Sequence, residues 1–306
     1  MFESNRFFHG LVLFCFVLMA VAIVLSAQMR LSNAGLGCSD WPACYGQNLA
    51  GLAPPHAPWM NALHRVAASI LGFAILAITY LAWQRRRTAP DDLPLALVLS
   101  ALTAFLAALG KWTPYPDLTI VALCNLLAGM AILALLWRLH LGYSSRQPTP
   151  SHLHSWVFSG LGLLALQITL GGMVSANFAA LSCTSLPGCD GWLQHATLAA
   201  FNPFQVLKVA PGSHFVAGEI QQTLHMTHRL FALLVFCYLA WLGVRLFREN
   251  MRRSGMLLIT VLTLQLVLGV SAVAFSLPLF VVLMHNATAA FLLLILVTLN
   301  YRLRQQ

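Results

Sequence analysis

The chain has 306 residues, of which 59% are apolar and 8% charged, and it carries a formal net charge of +9. A water-soluble domain holds roughly a quarter charged residues, so water is excluded as the main solvent of this surface. Because lipid offers no partner for a free backbone amide, the fold class is all-α, an integral membrane protein whose apolar runs are helices.

About 20 apolar residues are needed to cross the hydrocarbon. Eight runs reach that length, at about 8–28, 59–83, 92–111, 117–139, 155–176, 220–243, 255–275 and 279–300. The first could be mistaken for a secretory leader, with Leu-Ser-Ala at 25–27 as a cleavage site. It is expected to stay, because losing one span would invert the charge bias of every later loop. With the N-terminus inside, the cytoplasmic segments hold Arg6, Arg85, Arg86, Arg87, Arg138, Arg146, Arg245, Arg248, Arg252, Arg253, Arg302 and Arg304. The opposite side keeps Arg30, Lys111 and Lys208. The positive excess therefore reads as a topology signal, not as a nucleic-acid surface.

After the first run comes "GCSDWPACYG" at 37–46, and after the fifth "SCTSLPGCDG" at 182–191. Both reduce to Cys-x-x-x-Pro-x-Cys-x-Gly and both fall on the outer side, where an oxidising compartment permits disulfides. Two local bridges are expected, Cys38–Cys44 and Cys183–Cys189. The alternative, a zinc site, is weaker because structural zinc prefers Cys-x(2–4)-Cys. Cys15, Cys124 and Cys237 lie inside apolar runs, as small packing residues do.

The second run carries "NALHR" with His64 and Arg65, the sixth "HMTHR" with His228 and Arg229, and the eighth "VVLMHNA" with His285. Gln-x-x-Leu-Gly recurs at Gln167 to Gly171 and Gln265 to Gly269. The chain thus reads as two tandem four-helix bundles, 1–142 and 155–306, joined by a polar linker over 143–154. A single intramembrane histidine is most simply a hydrogen-bonding residue between helices, but ionisable groups in lipid usually face a cavity, a partner or a cofactor. Three at one depth, on helices running the same way, point to the last. Imidazoles on facing helices of a bundle can supply both axial ligands of a heme iron, and His228 with His285 form that pair. Arg229 and Arg65 could bind heme propionates or snorkel to the headgroups.

The segments "MRLSNAGLGCSDWPACYG", "ITLGGMVSANFAALSCTSLPGCDG", "MTHRL" and "QLVLGVSAVAFSLPLFVVLMHN" together resemble the heme A synthase family in its proteobacterial form, over nearly the whole chain. The resemblance implies an inner-membrane oxidoreductase with cytoplasmic termini and periplasmic cysteine loops. It implies oxidation of the C8 methyl of heme O to the formyl group of heme A, in two hydroxylation steps. It also implies a heme b cofactor between His228 and His285, and a first half that receives the substrate heme O through His64. Heme O synthase is an implied partner, besides an electron donor and the lipid bilayer, and oligomers are compatible with it.

Two positions depart from the family. Asn61 stands three residues before His64, where the family has a glutamate, and Asn125 in "NLLAGM" stands where the fourth helix has a histidine. Residues i and i+3 share a helix face, so Asn61 looks the same way as His64, yet its amide cannot act as a base. Cys124 is an alternative iron ligand if the register is shifted by one. His140 lies about 22 Å further along the helix and cannot substitute. His225, three before His228, would tune the heme pocket or bond to a neighbouring helix. Competing with a synthase are a heme-binding paralogue acting in oxidase assembly and a quinone- or ascorbate-linked cytochrome b. A transporter is disfavoured, since no Gly/Pro-broken helix pair is visible.

Overall fold

The computed structural model describes residues 2–33, 58–112, 118–143, 151–189, 191–207 and 218–303. They form eight long helices: α1 (Phe2–Asn33), α2 (Pro58–Gln84), α3 (Asp92–Leu109), α4 (Thr119–Leu141), α5 (His154–Ala176), α6 (Glu219–Arg248), α7 (Arg252–Ala274) and α8 (Leu279–Leu303). All eight are long and apolar enough to cross a membrane. Most outrun their apolar cores, α6 by several residues at its basic end, because long polar side chains at a helix end reach the headgroups without unwinding the backbone. Large apolar side chains such as Phe73 and Phe280 are exposed, as lipid-facing residues of such helices are.

Neighbouring helices close two rings. In the first, α1 packs on α2 and α4, and α3 bridges α2 and α4; in the second, α5 packs on α6 and α8, and α7 bridges α6 and α8. Within the second ring α6 and α8 therefore stand diagonally opposite. The rings meet along α4, which packs on both α5 and α8. One apolar core runs through both, from Phe8 to Leu303. Polar contacts reinforce the seam: Trp137 Nε1 donates to Thr298 Oγ1 at 2.7 Å, and the Arg138 guanidinium lies 3.9 Å over the Tyr301 ring.

The tightest crossing is α6 on α7, where small residues let two backbones meet, as in membrane helix pairs generally. A Cβ at Gly255 would stand 2.5 Å from the carbonyl oxygen of Gly243 and 3.0 Å from the amide nitrogen of Phe247. Backbone atoms cannot step aside. Gly255→Val is expected to force α6 and α7 apart at a cost of about 1–3 kcal/mol, read as a lower Tm in detergent. Gly162→Ala, where nothing lies within 4 Å of the added carbon, should leave Tm unchanged.

Candidate functional site

His228 lies nine residues into α6, about 14 Å below the helix start. Its ring packs against α5, where Gly171 makes room: a Cβ there would meet His228 Cε1 at 3.0 Å. One turn away, Gln167 Nε2 lies 3.0 Å from His228 Nδ1 and 3.2 Å from the His228 carbonyl oxygen.

His285 on α8 repeats the arrangement against α7. A Cβ at Gly269 would meet His285 Cε1 at 3.1 Å, and Gln265 Nε2 lies 3.2 Å from His285 Nε2. The recurring Gln-x-x-Leu-Gly is thus a cradle for an imidazole on the following helix. Residues i and i+4 share a helix face, so amide and gap confront the same ring. Both glutamine Oε1 atoms and His285 Nδ1 are buried with no hydrogen-bond partner.

The likeness between the two helix pairs extends to their turns. Eleven residues after each glutamine the chain enters the left-handed region, at Phe178 with φ 53° and Ser276 with φ 54°. In both, the next amide reaches back five residues, Ala179 to Val174 at 2.9 Å and Leu277 to Ala272 at 2.6 Å. This is the Schellman closure of a helix. The α5–α6 and α7–α8 units therefore hold their cradles at equal distances from the helix ends.

Above this site sits the second cysteine loop. Cys183 and Cys189 form a disulfide with a Cα–Cα distance of 5.2 Å, as expected, so neither thiol is left for zinc. Cys38 and Cys44 lie outside the described residues. Arg229 latches the loop to α6: Nη1 donates to the carbonyls of Ser185 at 2.8 Å and Gly188 at 3.4 Å, and Nη2 to that of Cys183. His225 is buried with Nδ1 3.4 Å from Ser182 Oγ, at the neck of the same loop. It bonds there, to the segment ahead of the disulfide.

Residues 203–206 of the same connection are strapped to the other ring. Thr119, at the start of α4, lies 2.7 Å through Oγ1 from the carbonyl oxygen of Pro203 and 3.1 Å from that of Gln205. An isolated antiparallel bridge joins Leu118 to Val206. Leu123 of α4 packs with Ala179, Ala200 and Leu224 beneath the strap.

In the first ring His64 is half-buried, with Asn61 and Arg65 exposed on the same stretch of α2. Asn125 donates through Nδ2 to Ser26 Oγ of α1 at 3.4 Å. Cys124 is a half-buried free thiol. Among the described residues of the first ring no glutamine–glycine cradle matches those of the second: counting back from the cysteine loops, Ala22 and Ser26 occupy the places of Gln167 and Gly171. The two rings have the same plan and different chemistry at the level of the histidines.

The donor set of the second ring fits a planar group gripped from two sides. Two imidazoles on diagonal helices can each offer one nitrogen, and each is backed by a glycine gap and a buried amide. Among the described residues no group of three or more His, Cys, Asp or Glu could hold a bare metal ion. The two histidines and the glutamine–glycine repeat stand out in the sequence, but that the one cradles the other shows only in the packed helices.

Comparison with known proteins places the chain in a family. The family described as cytochrome oxidase assembly protein, COX15-CtaA, matches residues 9–297. A heme A synthase of Shewanella oneidensis is 38% identical over 312 residues, covering 92% of this chain and 92% of its own length. Heme A synthases of Shouchella clausii and Granulibacter bethesdensis are each 25% identical, over 181 and 339 residues. The first covers 56% of this chain and 60% of its own length, the second 95% and 85%.

Proposed function

Because this chain belongs to the COX15-CtaA family of cytochrome oxidase assembly proteins, we propose that it is a heme A synthase, a membrane oxidoreductase that converts the C8 methyl of heme O to a formyl group. The observation that carries the reading is the matched pair of cradled imidazoles, His228 against Gln167 and Gly171, His285 against Gln265 and Gly269. These histidines would hold a heme b, which would supply one-electron redox chemistry. Arg229 fixes the disulfide loop above it, which limits water at the site.

Residues 1–142 form the half that receives heme O, 143–154 the linker, and 155–306 the heme b half. His64 takes the substrate iron from one side, with Arg65 free to turn toward a propionate. Asn61 and Asn125 can orient the substrate by hydrogen bonds but cannot accept a proton, so a base for methyl oxidation has to stand elsewhere. The protein lies in the bacterial inner membrane with cytoplasmic termini and periplasmic cysteine loops, receives heme O from heme O synthase, and draws on a separate electron donor.

A second reading is favoured by the same two asparagines: a heme-binding paralogue that has lost the oxidation and acts in oxidase assembly or carries electrons. Expression in cells supplying heme O, followed by chromatography of the extracted porphyrins, separates the two. Heme A or heme O beside heme B supports the synthase. Heme B alone supports the paralogue, and reduction by quinol or ascorbate with no change of heme type identifies an electron carrier.

A further inference from the structure

Each imidazole in the second ring has one nitrogen committed to a glutamine amide, Nδ1 of His228 and Nε2 of His285. The other nitrogen is the one left to bind iron, and it can do so only through its lone pair. The ring proton must then sit on the nitrogen that faces the glutamine. A ring N–H needs an acceptor, yet in both pairs the nearer amide atom is the donor Nε2, while the acceptor Oε1 is buried with no partner. Turning the amide by 180° about its last torsion exchanges the two atoms and gives the ring N–H its acceptor, with the amide N–H groups moving into the buried place Oε1 held. An amide's two ends are interchangeable in shape, so the turn needs no repacking.

We propose that Gln167 and Gln265 are the positioning residues of the axial histidines, each presenting its side-chain carbonyl oxygen to the ring N–H and so fixing tautomer, ring orientation and donor strength. The proposal rests on heme b binding between His228 and His285. Gly171 and Gly269 complete it, since a methyl at either place would press on Cε1 at 3.0 or 3.1 Å and swing the ring off its amide. Hydrogen bonds to the outer nitrogen of a metal-bound imidazole raise its basicity and are commonly worth ten- to a hundredfold in affinity. At α5 the turn gives up the bond from Nε2 to the His228 carbonyl at 3.2 Å, and at α7 the His285 ring also has a main-chain partner in Gln265.

The test uses the full-length protein purified with heme B bound, carrying Gln265→Leu, Gln265→Glu, or the same changes at Gln167. The readouts are the midpoint potential and the low-spin EPR spectrum. Gln265→Leu removes the acceptor, and is expected to raise the potential and weaken heme retention on the order of tenfold or more. Gln265→Glu strengthens the acceptor, and is expected to lower the potential and contract the g-spread; a charge acting only through space leaves that spread unaltered. Shifts of opposite sign support the proposal. Unchanged potentials and g-values in both variants, with low-spin heme retained, overturn it, as do shifts of one sign. If the leucine variant does not fold, the glutamate variant decides alone by the g-spread. Should the wild-type protein show no low-spin heme, or His228→Ala keep it, the heme reading itself has failed.

Discussion

His228→Ala and His285→Ala are each expected to abolish the low-spin heme spectrum of the purified protein, while His64→Ala leaves it largely intact. A low-spin b-type iron in a helical bundle needs two strong axial ligands, and on the proposed site each histidine is one of them. Neighbouring donors offer no replacement. His225 is turned to Ser182 at the loop neck, and among the described residues no further His, Cys, Asp or Glu completes a metal-binding group there. His64 belongs to the other ring, on α2, whose packing partners are α1 and α3. The visible and EPR spectra of the three variants check this. Loss of the spectrum in His64→Ala with retention in the other two would put the cofactor in the first ring.

Cys183→Ser is expected to weaken the heme affinity of the second ring by roughly thirtyfold, and Arg229→Ala by a similar factor, each read as lower occupancy. A covalent link across a loop this short restrains the open chain by about 2 kcal/mol on a chain-entropy basis, and 1.4 kcal/mol is a factor of ten. Arg229 adds donors to three loop carbonyls, and a hydrogen bond from a charged group contributes about 1.5–3 kcal/mol, less at Ser185, which is exposed. Arg229→Lys keeps the charge but not the planar fork, and should fall between the wild type and Arg229→Ala. Cys38→Ser, in the first half, is expected to cost second-ring occupancy less than Cys183→Ser. Pyridine hemochrome per mole of protein measures all four. Equal losses from the two cysteine changes count against a cofactor confined to the second half.

The helices were legible because lipid imposes a length: each apolar run had to be a helix, and each is one. The Cys183–Cys189 bridge was legible for a local reason, a proline-bearing loop too short to place the cysteines far apart. Arg229 was harder. Its place beside His228 suggested a shared target, but successive residues point about 100° apart around a helix, and the guanidinium turns to the loop carbonyls. Gln167 and Gln265 were visible as a repeat without a role. Their partners lie 61 and 20 residues away on other helices, and which faces meet is decided by packing that no local pattern encodes. The strap from Thr119 to Pro203 spans 84 residues and left no trace in either segment. Asn61 and Asn125 were noticed only against the family pattern, since a neutral amide is unremarkable in itself.

That strap bears on how the protein is made. Thr119 and Leu118 leave the ribosome well before Pro203, Gln205 and Val206, so the segment over the later ring is finished against a helix that was synthesised first. A detached C-terminal fragment would own both cradled imidazoles and its own disulfide, yet would lack the template on which its covering segment is laid down. The two rings are therefore alike in plan without being separable: the one made second borrows a wall from the one made first.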